Sequence, residues 1–207
     1  MSFLLFLLAA SLIALSPGPG LFYVAARTLA GGRSEGLASS VGTGIGGLVH
    51  VFAGAVGVSA LVLASAEAFT LLKFAGALYL VWLGLKTLRE SGRLQPASVA
   101  RSGAARAFRE GIVVEALNPK TAAFFLAFLP QFVDPSSGPV WLQFVALGTV
   151  SVVLNTAVDV GVVFLAVRAR TLATSRPALL HRLRQGSGLA IAGLGVALLF
   201  ARRPAAS

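Results

Sequence analysis

Leu15-Ser16-Pro17-Gly18-Pro19-Gly20 lies inside an apolar run that begins at Phe3 and continues to about Ala26. Prolines alternate with glycines there, removing backbone donors and helix propensity in the middle of a stretch long enough to cross a bilayer. In hydrocarbon each unsatisfied backbone group costs several kcal/mol, so such a break persists only inside protein or against a watery cavity. A second copy follows about a hundred residues later: Ala14-Leu15-Ser16-Pro17 is echoed by Ala116-Leu117-Asn118-Pro119, again within an apolar run. Two interrupted helices at matching positions predict two structurally repeated halves with a transport site between the breaks.

Composition places these motifs in a membrane. The 207 residues are 57% hydrophobic and 12% charged, with a mean hydropathy of +0.86, which reads as a polytopic membrane protein. An excess of 17 basic over 7 acidic residues is in other chains a footprint of nucleic-acid binding. Here the basic residues sit in a few segments between apolar spans, the pattern of a topology signal, and no nucleic-acid partner is expected. The absence of cysteine excludes a disulfide framework, a thiol nucleophile and Cys-based metal sites. Met1-Ser2 supplies no positive region ahead of the first apolar stretch, so that stretch is read as a retained span and not as a signal peptide.

A bilayer core needs roughly 20 apolar residues in a helix, and six segments approach that length: 3–26, 37–64, 68–88, 107–132, 141–167 and 187–201. Thirteen Lys and Arg residues fall in the intervening segments 27–36, 86–110 and 168–186, whereas the opposite face carries only Arg202 and Arg203. The positive-inside rule puts the three basic segments in the cytoplasm and both termini outside. Three helices per half is an odd number, so the second half must enter from the opposite face. The expected fold is therefore all-α: six transmembrane helices as two inverted three-helix repeats, 1–90 and 107–207, with helices one and four broken at Pro motifs. Ser91–Arg106, rich in Ser, Ala, Gly and Arg, reads as a solvated cytoplasmic linker. Arg176–Arg184 reads as a cytoplasmic loop or a short amphipathic stub.

The candidate site residues cluster in four of these helices. Around the two breaks they are Ser16, Pro17, Gly18, Pro19 and Gly20, and Glu115, Asn118, Pro119, Lys120 and Thr121. Half-helix N-termini beyond Pro19-Gly20 and Pro119-Lys120 present free N–H groups and positive dipole ends suited to a carboxylate. Glu115 and Lys120 are charges near a helix centre, which serve either substrate contact or structural pairing. Regular helix separates them by about 140°, and a bend at Pro119 is needed to bring them together.

His50 shares a small-residue face with Gly46, Gly47, Gly54 and Gly57 and points toward protein, either as a proton carrier or as a packing histidine bonded to a carbonyl. Lys73, near the start of the third helix, either functions or snorkels to the interface. Asn155 and Asp159 are four apart on one face of the fifth helix. Asp159 has only apolar neighbours in sequence, so it reads as an inward-facing, proton-binding carboxyl or a hydrogen-bonded structural aspartate. Asp159, Glu115 or His50 would hold an ammonium group or a coupling proton, so a zwitterionic amino acid finds both kinds of partner.

At these motifs the chain resembles the amino-acid exporters of the LysE/RhtB type. The resemblance is carried by Ser16-Pro17-Gly18-Pro19-Gly20, the glycine-rich second helix, Lys73-Phe74-Ala75-Gly76-Ala77-Leu78-Tyr79-Leu80, and Asn118-Pro119-Lys120 through Leu129-Pro130-Gln131-Phe132-Val133. It covers nearly the whole chain. It implies a multi-pass protein of the bacterial inner membrane that exports amino acids or their derivatives, is driven by the proton gradient and uses no cofactor. It assigns no family-wide role to His50, Glu115 or Asp159, and does not separate lysine, arginine, threonine, homoserine and leucine as substrates.

Three other readings compete. A channel or exporter for another small metabolite fits the same composition, though paired broken helices suit alternating access better than passive flow. An intramembrane enzyme needs a metal or nucleophilic constellation, and two distant histidines with no His-Glu-x-x-His leave little to build one. A structural protein has no need of buried charge beside helix breaks. A homodimer through a glycine face is compatible with the pattern.

Overall fold

The computed structural model describes residues 3–64, 66–89 and 101–169, together with Gln185, Leu189, Ala192, Gly193, Val196, Leu199 and Phe200. The linker stretch 91–100, the stub 176–184, most of the segment 187–201 and the Lys73 side chain lie outside the described residues. Every regular element among those described is helical: α1 (Phe3–Leu15), α2 (Pro19–Ala64), α3 (Ala66–Arg89), α4 (Ala104–Ala116), α5 (Pro119–Ala123) and α6 (Val140–Ala169). A π-helical turn over Phe124–Phe128 and 3-10 turns over Leu129–Phe132 and Pro135–Ser137 connect α5 to α6.

The expected loop 27–36 is not a loop. Helix runs up to Gly32, which takes φ 77° and ψ −165°, and resumes directly beyond it. A positive φ is open to glycine without the Cβ clash that other residues meet, so one residue suffices to turn the chain. Contacts with α4 show that the two arms of α2 run in opposite directions. On the first arm Gly20 lies against Glu115 and Tyr23 reaches Ala107; on the second, Gly42 packs on Phe108 and Gly46 on Ile112. Gly42 and Gly111 allow this approach, since a Cβ on either would press on the backbone of the facing helix.

By length and composition, Pro19–Gly57, which folds back at Gly32, and Val140–Arg168 hold stretches able to cross a membrane, and Ala104–Ala116 with Pro119–Phe132, bent by 42°, makes a third if taken as one span. α1 is apolar on both sides. On α1, Phe6, Ala9, Ala10 and Ile13 face a core shared with Val51 and Ala55 of α2, Ala77 and Leu80 of α3, Phe144 of α6 and the phenylalanines 124, 125 and 128. Its other face exposes Leu4, Leu8, Leu12 and Leu15, all about half bare or more. A stripe of bare leucine opposite a packed face belongs in lipid.

Proline chemistry accounts for the π turn. Pro130 has no N–H for the Leu126 carbonyl, and its ring crowds that oxygen. The helix widens just before it, with the Leu129 N–H donating to Phe124 O five residues back.

Candidate functional site

The two breaks are built alike. α1 ends at Leu15 and α2 starts at Pro19. Pro17 cannot donate to the Ile13 carbonyl four residues earlier, and this oxygen is met instead by Ser16 N at 3.2 Å and Lys120 Nζ at 3.1 Å. The same ammonium donates to Ser16 O at 2.8 Å. In the second break α4 ends at Ala116 and α5 starts at Pro119. Pro119 cannot donate to the Glu115 carbonyl, which accepts from Asn118 N at 2.9 Å and from His50 Nε2 at 2.9 Å. A carbonyl only accepts, so Nε2 carries the proton. Each break is thus completed by a side chain from the other half of the chain. Asn118 caps α5 in the usual way for its residue type, its Oδ1 accepting from Lys120 N at 3.1 Å, with Pro119 at the first helical position.

Glu115 is buried between the breaks. Its Oε1 accepts from Thr121 Oγ1 at 2.6 Å and its Oε2 from Asn118 Nδ2 at 2.9 Å. Oε2 also lies where a side chain on Gly20 would start, so any larger residue there must push the carboxylate from its place. Lys120 shares the burial but turns to the α1 carbonyls, and the bend at Pro119 does not make a Glu115–Lys120 ion pair.

Beside Glu115 lies a small cleft. α1 contributes Ala10, Ile13 and Ala14 to its wall, and Phe124, Phe125 and Val152 add to the apolar lining. The polar lining is Thr43, Glu115, Thr121, Ser151 and Asn155. The lining pairs apolar walls with a few hydrogen-bonding groups, the composition of a site for a small amphipathic molecule. Asp159, one turn beyond Asn155 on α6, is 1% exposed and its Oδ2 accepts from Thr43 Oγ1 at 2.8 Å. Among the described residues no cluster of three His, Asp or Glu side chains stands ready for a metal ion.

A family model described as the LysE type translocator matches residues 11–202. The chain belongs to the LysE-type translocator family. Among curated relatives, an uncharacterized membrane protein of Vibrio cholerae is 33% identical over 200 residues, 96% of this chain and 97% of the relative. A homoserine/homoserine lactone efflux protein of Salmonella typhimurium is 35% identical over 166 residues, 79% of each chain. A leucine efflux protein of Salmonella choleraesuis is 30% identical over 148 residues, 70% of this chain and 69% of the relative. No solved structure matches.

The translocator therefore brings most of its sequence-predicted candidates to one place. Ser16 through Gly20, Glu115, Asn118, Pro119, Lys120 and Thr121 form the two breaks; His50 completes the second; Asn155 lines the cleft, and Asp159 stands behind Thr43. Lys73 falls in α3, without a described side chain.

Sequence reasoning missed Thr43 and Ser151, which carry no charge, and a polar lock at the basic end of α4. In that lock Arg27, buried on the first arm of α2, bonds Glu110 of α4 through Nη2 and Tyr23 Oη through Nε at 3.1 Å. Arg27 Nη1 lies 3.7 Å from Glu35 Oε2, while Glu35 Oε1 accepts from the N–H groups of Ser102 and Gly103 at 3.0 and 2.9 Å. Tyr23 Oη is also 3.0 Å from both Glu110 Oε2 and Ala107 O. Arg27 and Glu35 fall in the segment 27–36, which the sequence read only as one of the basic stretches between spans.

Proposed function

We propose that this translocator is a secondary active exporter of amino acids or amino-acid derivatives across the bacterial inner membrane, coupled to protons and working by alternating access. The observation that carries the reading is the cleft between the two breaks, with Glu115 at its wall. Its amphipathic lining suits a small molecule with an ammonium group and a modest apolar body. Glu115 takes the ammonium, and the N–H groups that open α2 at Gly20 and Leu21 offer the positive helix end to a carboxyl group. Asp159, ionisable and buried beside the cleft, carries the coupling proton. The efflux of homoserine, homoserine lactone and leucine named for relatives agrees with such a cargo.

The reading includes six spans in two inverted halves, 1–90 and 107–207, joined by 91–106, with the basic segments in the cytoplasm. The reciprocal completion of the breaks, Lys120 for the first and His50 for the second, supports a two-fold relation between the halves. Alternating access then rocks the halves about a fixed site.

Efflux from cells preloaded with labelled amino acids tests this. Expressing cells should lose one or a few amino acids faster than empty cells, and an uncoupler should stop the difference. Loss that continues with the uncoupler contradicts proton coupling, and no loss of any amino acid contradicts the cargo.

A further inference from the structure

Residues 19–31, the first arm of α2, lie between two interruptions of the helix. Residues 16–18 separate the arm from α1, and Gly32 with φ 77° ends it. The arm starts at the cleft: Gly20 lies against Glu115 Oε2, and Thr43 Cγ2 approaches the same point. It finishes about 20 Å away, where Ala30 O accepts from Arg101 Nε at 3.3 Å. The arm therefore runs beside α4 from the cleft carboxylate to the basic end of the bundle. The second arm is held differently, with Gly42 and Gly46 setting it against the α4 backbone.

The inner face of the first arm buries Gly20, Val24, Arg27 and Thr28. Thr28 Oγ1 donates to Val24 O within the arm itself. Ties to other elements come from Tyr23, whose Oη lies 3.0 Å from Ala107 O and from Glu110 Oε2, and from Arg27, which bonds Glu110 and lies 3.7 Å from Glu35 Oε2. Release of the arm strands neither carboxylate. Glu35 Oε1 keeps the Ser102 and Gly103 N–H groups, and Glu110 Oε1 keeps Arg106 Nε at 2.7 Å. A buried ion pair is costly to break when it leaves a charge unpaired; here each carboxylate has a second set of donors, which suits a contact that opens and closes. Toward the start of α6 the cleft is walled instead by aromatic packing of Phe125 on Phe124 and Phe144.

We propose that residues 19–31 are the lid between the cleft and the basic end of the bundle, hinged at 16–18 and at Gly32 and latched by Arg27 on Glu110 and Glu35. The inference rests on the exporter reading and deepens it, naming the element that moves and the contact that holds it. A hinge is a few residues at the end of an element that absorb the backbone change, and both ends of this arm have that form. Lifting the arm takes Gly20 off Glu115 and uncovers a path along α4 to the basic end, the side from which an exporter loads.

The test uses Ser151→Cys as a single thiol on the cleft wall, in sealed membrane vesicles of each sidedness, with a membrane-impermeant thiol reagent. The basic-end face is the one from which Arg101→Cys is labelled. Adding Glu110→Gln should raise the ratio of labelling from the basic-end face to labelling from the opposite face at least about threefold, the scale of a partly exposed charge-assisted hydrogen bond. Arg27→Met should raise the ratio as well, and where that variant does not insert, Glu110→Gln decides alone. Arg109→Gln removes an exposed charge from the same helix and should leave the ratio in place. A ratio that Glu110→Gln leaves unchanged or lowers overturns the proposal, as does one that Arg109→Gln moves equally far. Labelling requires no transport, so the two readings fail separately: efflux with a ratio unmoved by Glu110→Gln tells against the latch, and a raised ratio in a protein that exports no amino acid supports the latch and tells against the exporter.

Discussion

Lys120 Nζ lies 3.1 Å from the carbonyl oxygen of Ile13, 107 residues away in the chain, and this is the oxygen that Pro17 deprives of its helical donor. The lysine therefore does at the first break what His50 does at the second. A break in hydrocarbon is tolerable when each freed backbone group finds a partner, and here the partners come from the opposite half. The two breaks consequently hold each other in place.

Lys120→Met should leave Ile13 O and Ser16 O short of a donor and leave Glu115 and Asp159 without their nearby cation. Breaking a buried charge arrangement from one side costs about 3–5 kcal/mol. Thermal unfolding in detergent checks this, and a variant as stable as wild type contradicts it.

Gly20→Ala places a methyl group on Glu115 Oε2. Transport should fall at least about tenfold, since displacement of a binding carboxylate on this scale disrupts productive geometry, while the protein still inserts. Gly161→Ala, where a Cβ meets nothing within 4 Å among the described residues, is the control and should transport normally. Equal rates in the two variants would separate Gly20 from the site.

How far the sequence reaches is clear from these residues. Pro17, Pro119 and their flanking glycine and asparagine announce the breaks because proline acts on its own neighbours, through the donor it lacks. Glu115 and Asp159 announce themselves by charge in an apolar run. What stays hidden is which distant group answers them. The bonds from Lys120 to Ile13, from Thr43 to Asp159 and from Arg27 to Glu110 join residues 107, 116 and 83 positions apart, and no local pattern encodes such a pairing. The helical course of 27–36 was missed for a different reason, since two arginines and three glycines look like a loop when Gly32 alone makes the turn.

Arg27→Met should destabilise the protein by about 3–5 kcal/mol, because it removes the buried cation between Glu35 and Glu110, leaving Glu35 to the Ser102 and Gly103 N–H groups and Glu110 to Tyr23 and Arg106. Glu110→Gln should cost less alone, and the double variant less than the sum, as expected for groups that act as one network. Additive costs in a double-mutant cycle measured by unfolding would remove the lock.

Asp134 closes the turn before α6. The Ser136 and Ser137 hydroxyls and the Ser136 N–H donate to its carboxylate and hold its pKa below the usual range. Its folded value being depressed, the turn gains stability above the unfolded pKa and loses it as pH falls through the folded one. Hydrogen exchange at the Ser136 amide should accelerate in Asp134→Ala at neutral pH, and an unchanged rate would deny the cap.

The central claim is that the cleft between the breaks holds the substrate. The chain contains no cysteine, so Ser151→Cys puts a single thiol on the cleft wall. Its labelling by a small thiol reagent should slow in the presence of the amino acid that expressing cells export, and should not respond to one they retain. Labelling at the same rate with and without the exported amino acid would contradict the account.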